Sequence, residues 1–500
     1  MSLAKKAVAG FLYTTAANVG SRVITIISTF ILTRYLTPEV QGEVNVAVVL
    51  IMSAGWATSF GVGQYLAAHP KSGRVVAFHG SVILLTAGVI ACVLCVLGRF
   101  TVASWLHTPG MVAYVPGLAL SHFIDRLGWL PRNILVRDMR FRVIGARVAL
   151  GEIVYAASTV AFAHAGFGGQ SIVAGNLARA TIGLLYLAAV TERREYLEPC
   201  RLSMEIFRKL LSYGAPIGAS FLFHVGATTW DNLFISYRFG EAATGLYNQA
   251  YRLADLPATN VGEQINDVLV PSFARLEDPE SRKRGLLRAA GLMALVVFPM
   301  AAGLGAVAHT LVETLYPKSY SGVAPFLAVL AALSMYRSIG VLATGYLQVV
   351  GRTKIFVLLD IILVAVLLGS MALLAPLGPV YSAFGVGVAF TVNTLQIVHA
   401  LKPEGITLGA VAKSVARPFV ACLPMAAAVL GLRALMGGHG PAAVRLLAEV
   451  VVGGGVYIGA ALVIARAISR DFIDLGMGIV RRRRQRSGGS DAPESSPASE

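Results

Sequence analysis

Two things are short in this sequence, charge and cysteine. Asp, Glu, Lys and Arg make up 14% of its 500 residues, against about a quarter in an ordinary soluble domain, and that shortfall excludes a water-soluble globule. Cys92, Cys95, Cys200 and Cys422 are too few for a disulfide framework. Cys92 and Cys95 form a C-x-x-C pair, but within an apolar run, so helix packing is preferred over redox chemistry there. Catalytic signatures are missing too. The chain has no H-E-x-x-H, no Walker A loop, no G-x-S-x-G and no G-x-G-x-x-G after a strand. The segments between its apolar runs are too short to fold as a catalytic domain. No catalytic residue, metal site or cofactor is therefore expected, and without an ATP site any pumping has to draw on an ion gradient.

What fills the chain is hydrocarbon: 56% of residues are hydrophobic and the mean hydropathy is +0.69. Runs such as "VVAFHGSVILLTAGVIACVLCVL" (75 to 97) and "FVLLDIILVAVLLGSMALLA" (356 to 375) approach the roughly 20 residues that a helix needs to cross a bilayer. A spanning β-barrel alternates instead of running continuously apolar, so the expected class is an all-α polytopic membrane protein. The first apolar run, about 8 to 33, is too long for a cleaved signal peptide. About fourteen spans are expected, centred near 20, 55, 87, 120, 153, 180, 222, 258, 297, 335, 365, 390, 424 and 455.

The net charge of +16 raises the question of nucleic acid, and its distribution answers it. With the N-terminus inside, one set of loops holds Lys71, Arg74, Arg132, Arg137, Arg140, Arg142, Arg193, Arg194, Arg208, Lys209, Arg282, Lys283, Arg284, Arg352 and Lys354, and the tail adds Arg481 to Arg484. The opposite loops hold only Arg34, Arg99, Arg238 and Lys318, with Arg433 and Arg445 near span ends. That bias is the positive-inside pattern, with both termini cytoplasmic. The basicity is topological, and no nucleic-acid partner is implied.

Laying residues 31 to 47 over 234 to 250 pairs Gly42 with Gly245, Asn45 with Asn248 and Ala47 with Ala250, each 203 positions apart. Both stretches follow the first span of a six-span set, so parallel repeats are expected, with both stretches as outside turns. The expected organisation is a six-helix lobe over 1–190, a cytoplasmic linker with an interfacial amphipathic helix over 191–210, and a second six-helix lobe over 211–400. Two extra helices follow over 401–470, then a basic and disordered tail over 471–500. Gly455 and Gly459 form a G-x-x-x-G that points to close helix packing.

Ionisable groups inside a membrane are costly, so each needs a reason. In the first span, steps of three and four set Thr14, Asn18, Arg22, Thr25, Thr29 and Thr33 on one face, a polar stripe with one charge near mid-span. The seventh span carries Ser220, His224, Thr228 and Asp231 on one face. In the eighth, Asn248, Arg252, Asp255, Thr259, Glu263 and Asn266 share a narrow arc opposite Leu253, Val261 and Leu269, with Pro257 as a kink. Arg126, Arg147, Glu152, Arg179, Arg337, Asp360 and Arg417 either line a cavity or pair at span ends.

The stretches "ILTRYLTPEVQGEVNVA", "LLSYGAPIGAS", "WDNLFISYRFGEAATGLYNQAYRLADLP" and "INDVLVPSFARL" resemble the multidrug, oligosaccharidyl-lipid and polysaccharide exporter superfamily, within it the bacterial O-antigen and exopolysaccharide flippases. The resemblance implies two pseudo-symmetric lobes in the inner membrane that move a polyprenyl-diphosphate-linked oligosaccharide outward by alternating access, coupled to H+ or Na+. It further implies membrane lipid as surroundings, and a polysaccharide polymerase with chain-length or export proteins as partners. On that reading Arg22, with Arg252 or Arg337, attracts the diphosphate. Asn18, Thr25, Thr29, His224, Thr228 and Asn248 face sugar, and Asp231, Asp255, Glu263 or Asp360 exchanges the coupling ion. Acidic Asp255 and Glu263 beside Arg252 depart from a purely cationic cavity. The alternative is a cation-coupled multidrug antiporter of the same superfamily. A polymerase or glycosyltransferase fits less well, because the outside loops are only about 5 to 12 residues long. Arg22→Ala is predicted to abolish polymer export from a correctly inserted protein, whereas Arg22→Lys retains part of it. Normal polymer release by Arg22→Ala would remove Arg22 from the site.

Overall fold

The computed structural model describes residues 20–21, 23–58, 60–62, 65, 69, 73–138, 140–192, 199–257, 278–352, 355–474 and 477. Among these no strand occurs. In chain order the long helices are α1 (Val23–Leu32), α2 (Pro38–Ala57), α3 (Gly73–Trp105), α4 (Val115–Leu127), α5 (Trp129–Arg137), α6 (Phe141–His164) and α7 (Gln170–Val190). They continue as α8 (Met204–Ala254), α9 (Pro279–Leu315), α10 (Val323–Val349), α11 (Phe356–Leu374), α12 (Pro379–Ala400), α13 (Leu408–Met436) and α14 (Ala442–Ile464). Eleven are long and apolar enough to cross a membrane. The other expected spans, near 20, 120 and 258, fall on α1, on α4 with α5, and on the end of α8 with residues outside the described set. The all-α polytopic architecture therefore stands.

Local sequence explains the ends that matter. α2 opens with Pro38 at its first position and Glu39 in its first turn, where a missing N–H and a negative charge both suit a helix N-terminus. α8 breaks at Gly240, whose φ of 83° and ψ of 177° no helix contains; without a Cβ, glycine adopts that conformation at little cost. The expected outside turns are corrected accordingly. Residues 33 to 37 do form a turn, but Pro38 to Ala47 and residues 241 to 250 are helical, and the second turn shrinks to one glycine kink. The residues read as an interfacial helix before 211 are the first turns of α8, while 193–198 of that linker and the tail from 478 lie outside the described residues.

The chain divides into two compact units. The first comprises Met1–Asp255, Ala308–Leu333 and Arg352–Asn393. Its most extensive described pairing is α2 against α8, followed by α6 with α7 and α4 with α7. Lipid is as apolar as a leucine side chain, so these helices associate through close packing and interhelical hydrogen bonds rather than through exclusion of water. Both devices meet at the α2–α8 crossing. A Cβ added at Gly42 would overlap the Glu241 carbonyl, and one added at Gly245 would overlap that of Pro38. The contacts are reciprocal, since Pro38 and Glu241 are themselves 203 positions apart. Beneath the crossing, buried Asp231 accepts from the Asn232 N–H at 2.8 Å, from Asn232 Nδ2 at 2.9 Å and from the Tyr247 hydroxyl at 2.5 Å. The Tyr320 hydroxyl donates to the Leu36 carbonyl at 2.7 Å and pins the 33–37 turn.

The second unit comprises Leu256–Val307, Ser334–Gly351 and Thr394–Glu500. In it α13 packs along α14, the Tyr457 hydroxyl donates to the Leu295 carbonyl at 2.7 Å, and Arg288 forks onto both oxygens of Asp471. Gly455 and Gly459 are expected to mediate close packing, but a Cβ added at either would meet nothing within 4 Å among the described residues outside its own helix turn. They share α14 with exposed Leu447, Val451 and Val463, an apolar face suited to lipid.

The glycine crossing carries a testable cost. Gly42→Ala and Gly245→Ala each force two backbones apart, and each is expected to destabilise the protein by about 1–3 kcal/mol. The readout is a lower melting temperature of the purified protein in detergent, with unchanged melting as the contrary result.

Candidate functional site

Thr25 and Thr29, one turn apart on α1, open onto a cavity of about 310 Å³ within the first unit. α2 contributes Gln41 and Asn45, also one turn apart, together with Val44 and Val48. α6 and α7 supply Glu152, Tyr155, Asn176 and Arg179, and α8 closes the ring with Asn248, Gln249 and Arg252. The lining is mixed, with Leu32, Val44, Val48 and Ile172 beside polar groups that the apolar helices bring together. In each helix the polar groups recur at three- or four-residue steps, the spacing that puts side chains on one face.

One side of the cavity is held by charge. Arg179 Nη1 lies 3.2 Å from Glu152 Oε1, and its Nη2 donates to Asn176 Oδ1 at 2.7 Å. Its guanidinium carbon sits 5.2 Å from the Tyr155 ring centroid, within range of a cation–π contact. The Thr25 hydroxyl lies 3.0 Å from Glu152 Oε2 and 2.9 Å from the Ser21 carbonyl, two acceptors for one proton. Glu152 thus ties α1, α6 and α7 together and neutralises Arg179.

The opposite side is carboxamide. Asn45 Nδ2 and Asn248 Nδ2 both donate to Asn232 Oδ1, at 2.9 and 3.1 Å, and Gln249 donates to Gln41 Oε1. These bonds follow directly from the α2–α8 crossing, which sets Gly42 and Gly245 against the opposing backbone and so brings their neighbours together. Arg252, one turn beyond Asn248, is exposed, and no carboxylate among the described residues pairs with it.

Of the residues singled out from sequence, the cavity gathers Thr25, Thr29, Asn248 and Arg252. Asn18, Arg22 and Glu263 lie outside the described residues. His224, Thr228 and Asp360 form a separate group: His224 Nδ1 is 3.8 Å from Asp360 Oδ1 across α8 and α11, and the Thr228 hydroxyl bonds back to the His224 carbonyl at 3.1 Å. Asp231 is in the core, Asp255 caps the end of α8, and Arg337 is half-buried on α10 in the second unit. The charged groups left open as lining or pairing now divide. Glu152 and Arg179 do both, Arg147 pairs with Asp125 at 2.5 Å, and buried Arg126 donates to the carbonyls of Thr58 and Gly55. Arg417 is exposed on α13. Gln41, Tyr155, Asn176 and Gln249 were not anticipated, although Gln41 with Asn45 and Asn176 with Arg179 carry the i, i+4 and i, i+3 spacing of a shared face.

A sequence model of the polysaccharide biosynthesis protein family matches residues 31–325. The chain belongs to that family. The succinoglycan biosynthesis transport protein ExoT of Rhizobium meliloti (strain 1021) is 25% identical over 504 residues, covering 96% of this chain and 98% of its own. The lipopolysaccharide biosynthesis protein WzxC of Escherichia coli (strain K12) is 22% identical over 341 residues, covering 68% of this chain and 69% of its own. Among solved structures, the lipid II flippase MurJ in an inward closed conformation aligns with a TM-score of 0.74 at 13% identity, over 91% of this chain and 99% of that one. An inward-facing MATE family multidrug resistance transporter aligns at 0.60 and 16% identity, over 77% and 96%. These likenesses show the fold. Together with the eleven apolar helices, family membership makes this a multi-pass membrane protein of polysaccharide biosynthesis.

The Glu152–Arg179 pair is open to measurement. Glu152→Gln and Arg179→Gln, singly and combined, are expected to show a coupling energy of about 1 kcal/mol in a thermal-melting double-mutant cycle. Additive effects would mean that the two charges do not support each other.

Proposed function

We propose that this protein flips a polyprenyl-diphosphate-linked oligosaccharide repeat unit across the bacterial inner membrane, for exopolysaccharide or O-antigen assembly, by ion-coupled alternating access. The observation that carries the reading is the charge balance of the cavity: in a chain of this family, Arg252 faces polar space among apolar helices, and no carboxylate among the described residues pairs with it. A diphosphate-sugar head cannot cross hydrocarbon bare, because its polar groups would lose their water without replacement. A guanidinium replaces that water at the diphosphate through charge-assisted hydrogen bonds, and Arg22, on the same stripe as Thr25 and Thr29, adds a second cation.

The basic loops put both termini in the cytoplasm. The cavity, near the 33–37 turn and the Gly240 kink, then lies toward the outer face. Opening that face means parting α2 from α8 at the Gly42–Gly245 crossing, where the two six-helix halves meet in this reading. Asp231, Asp255, Glu263 or Asp360 takes the coupling H+ or Na+, and His224 lies 3.8 Å from Asp360. The protein is a transporter, with no chemistry of its own on the sugar. It works on membrane-embedded lipid alongside a polysaccharide polymerase and chain-length or export proteins. The antiporter reading needs an acidic grip on organic cations, and the one carboxylate among the described residues that line the cavity, Glu152, already serves Arg179.

Deletion of the gene is predicted to leave a complete polyprenyl-linked repeat unit in the membrane, identifiable by mass spectrometry. In intact spheroplasts this lipid should be shielded from an external sugar-modifying probe. Absent or externally exposed intermediates would place the protein at a different step.

A further inference from the structure

Past α14 the chain bends in a way that crossing a membrane does not require. Ala465, with φ of −105° and ψ of 30°, ends α14, and residues 466–474 are again helical. A straight helix would carry Ser469 about 12 Å past Ala461, yet the Ser469 hydroxyl donates to the Ala461 carbonyl at 3.0 Å. The chain therefore turns sharply at Ala465, and the new helix runs across the end of α14 instead of prolonging it. One face of it is held by α9. Arg288 forks onto Asp471, and the Ile468 side chain lies 3.4 Å from where a Cβ on Gly291 would stand. The Ser414 carbonyl of α13 comes within 3.3 Å of the same point. Residues 466–474 and α13 thus meet at one place on α9, at the end of the second unit that the proposed topology sets in the cytoplasm.

The outer face of this helix mixes charge with hydrocarbon. Arg466, Arg470 and Ile473 recur at steps of four and three, which set them on one side. All three are exposed, as is Phe472 next to Ile473. On α13, Lys413 and Arg417 are exposed one turn apart, beside exposed Phe419 and Val420. None of these four cations pairs with a carboxylate among the described residues. Apart from the Arg288–Asp471 pair, the two helical stretches set Lys413, Arg417, Arg466 and Arg470 against the one carboxylate of Asp474. Water would leave Phe472 and Ile473 exposed at a cost, and hydrocarbon would strand the arginines. Both needs are met at the level of phospholipid headgroups, where phosphates meet cations and acyl chains meet apolar side chains.

We propose that residues 466–474 and the inner end of α13 form a docking surface for anionic phospholipid of the cytoplasmic leaflet. Arg466 and Arg470 grip the lipid phosphate through charge-assisted hydrogen bonds, Lys413 and Arg417 add to the field that draws it, and Phe472 and Ile473 enter the border of the acyl chains. Charge complementarity singles out this occupant. A zwitterionic lipid brings its own cation to a surface already in surplus, and a soluble anion has no use for the apolar side chains. The bound lipid keeps the helix in the plane of the membrane and so fixes the bend at Ala465. This inference is independent of what the protein transports.

The test is native mass spectrometry of the full-length protein in detergent, titrated separately with phosphatidylglycerol and with phosphatidylcholine of identical chains. Phosphatidylglycerol is expected to bind about tenfold or more tightly, as two or more cations at one headgroup would produce. Arg466→Gln combined with Arg470→Gln is expected to remove that preference and leave phosphatidylcholine binding unchanged, whereas Arg466→Lys combined with Arg470→Lys keeps most of it. If the double Gln variant lowers the melting temperature of the lipid-free protein, Arg470→Gln alone takes its place, with a smaller loss in the same direction. Equal affinity of the wild type for the two lipids overturns the surface. So does a preference that survives in the Gln variants and is lost when Arg481 to Arg484 are replaced by Gln, which would place it in the tail. Displacement of phosphatidylglycerol by inorganic phosphate at the same concentration would mark a soluble-anion site and overturns it as well.

Discussion

Everything around the cavity depends on two helix backbones meeting with no side chain between them. At the α2–α8 crossing Gly42 lies against the Glu241 carbonyl and Gly245 against that of Pro38. Any Cβ would hold the helices further apart, and the bonds from Asn45 and Asn248 to Asn232, and from Gln249 to Gln41, would stretch beyond reach. In lipid this geometry matters more than it would in water, because close packing and interhelical hydrogen bonds are what bring helices together there. Two glycines thus position a set of amides, and the amides form one wall of the cavity.

The opposite wall is governed by the cost of charge in hydrocarbon. Each ionised group placed among apolar helices has to find a partner or a polar space, and the first unit shows both solutions. Glu152 and Arg179 partner each other, with Tyr155, Asn176 and Thr25 taking up their remaining capacity. Buried Asp231 is surrounded by donors from Asn232 and Tyr247. Arg252 takes the other route and faces the cavity. Among the described residues it is the one cation of the cavity left without a carboxylate, set beside neutral amides, the feature on which the proposed reading rests.

Much of this was legible in the chain, and the reasons are physical. Long apolar runs with few charges have no stable fate except membrane helices, so the all-α architecture and nearly all the spans follow from composition and length. The stripe through Thr25 and Thr29, and the arc through Asn248 and Arg252, were visible because helical periodicity places such groups on one face whatever the neighbours are. The weak identity between the two stretches 203 positions apart was visible as well, although it pointed to surface turns where helices actually cross.

Periodicity states which face of a helix is polar and says nothing of which other faces it meets. Whether Asn248 looks toward Asn45 or toward lipid depends on the angle and depth at which α2 and α8 cross, and that is decided by backbone contacts between residues far apart in the chain. The same holds for Glu152, which reads equally well as a snorkelling end group until α1, α6 and α7 are seen to converge on it. Its amino-acid sequence by itself determined that this protein spans the membrane many times and carries polar faces within it. Only the tertiary structure decided which of those faces share one cavity, because that rests on a glycine-to-backbone fit that no local pattern encodes.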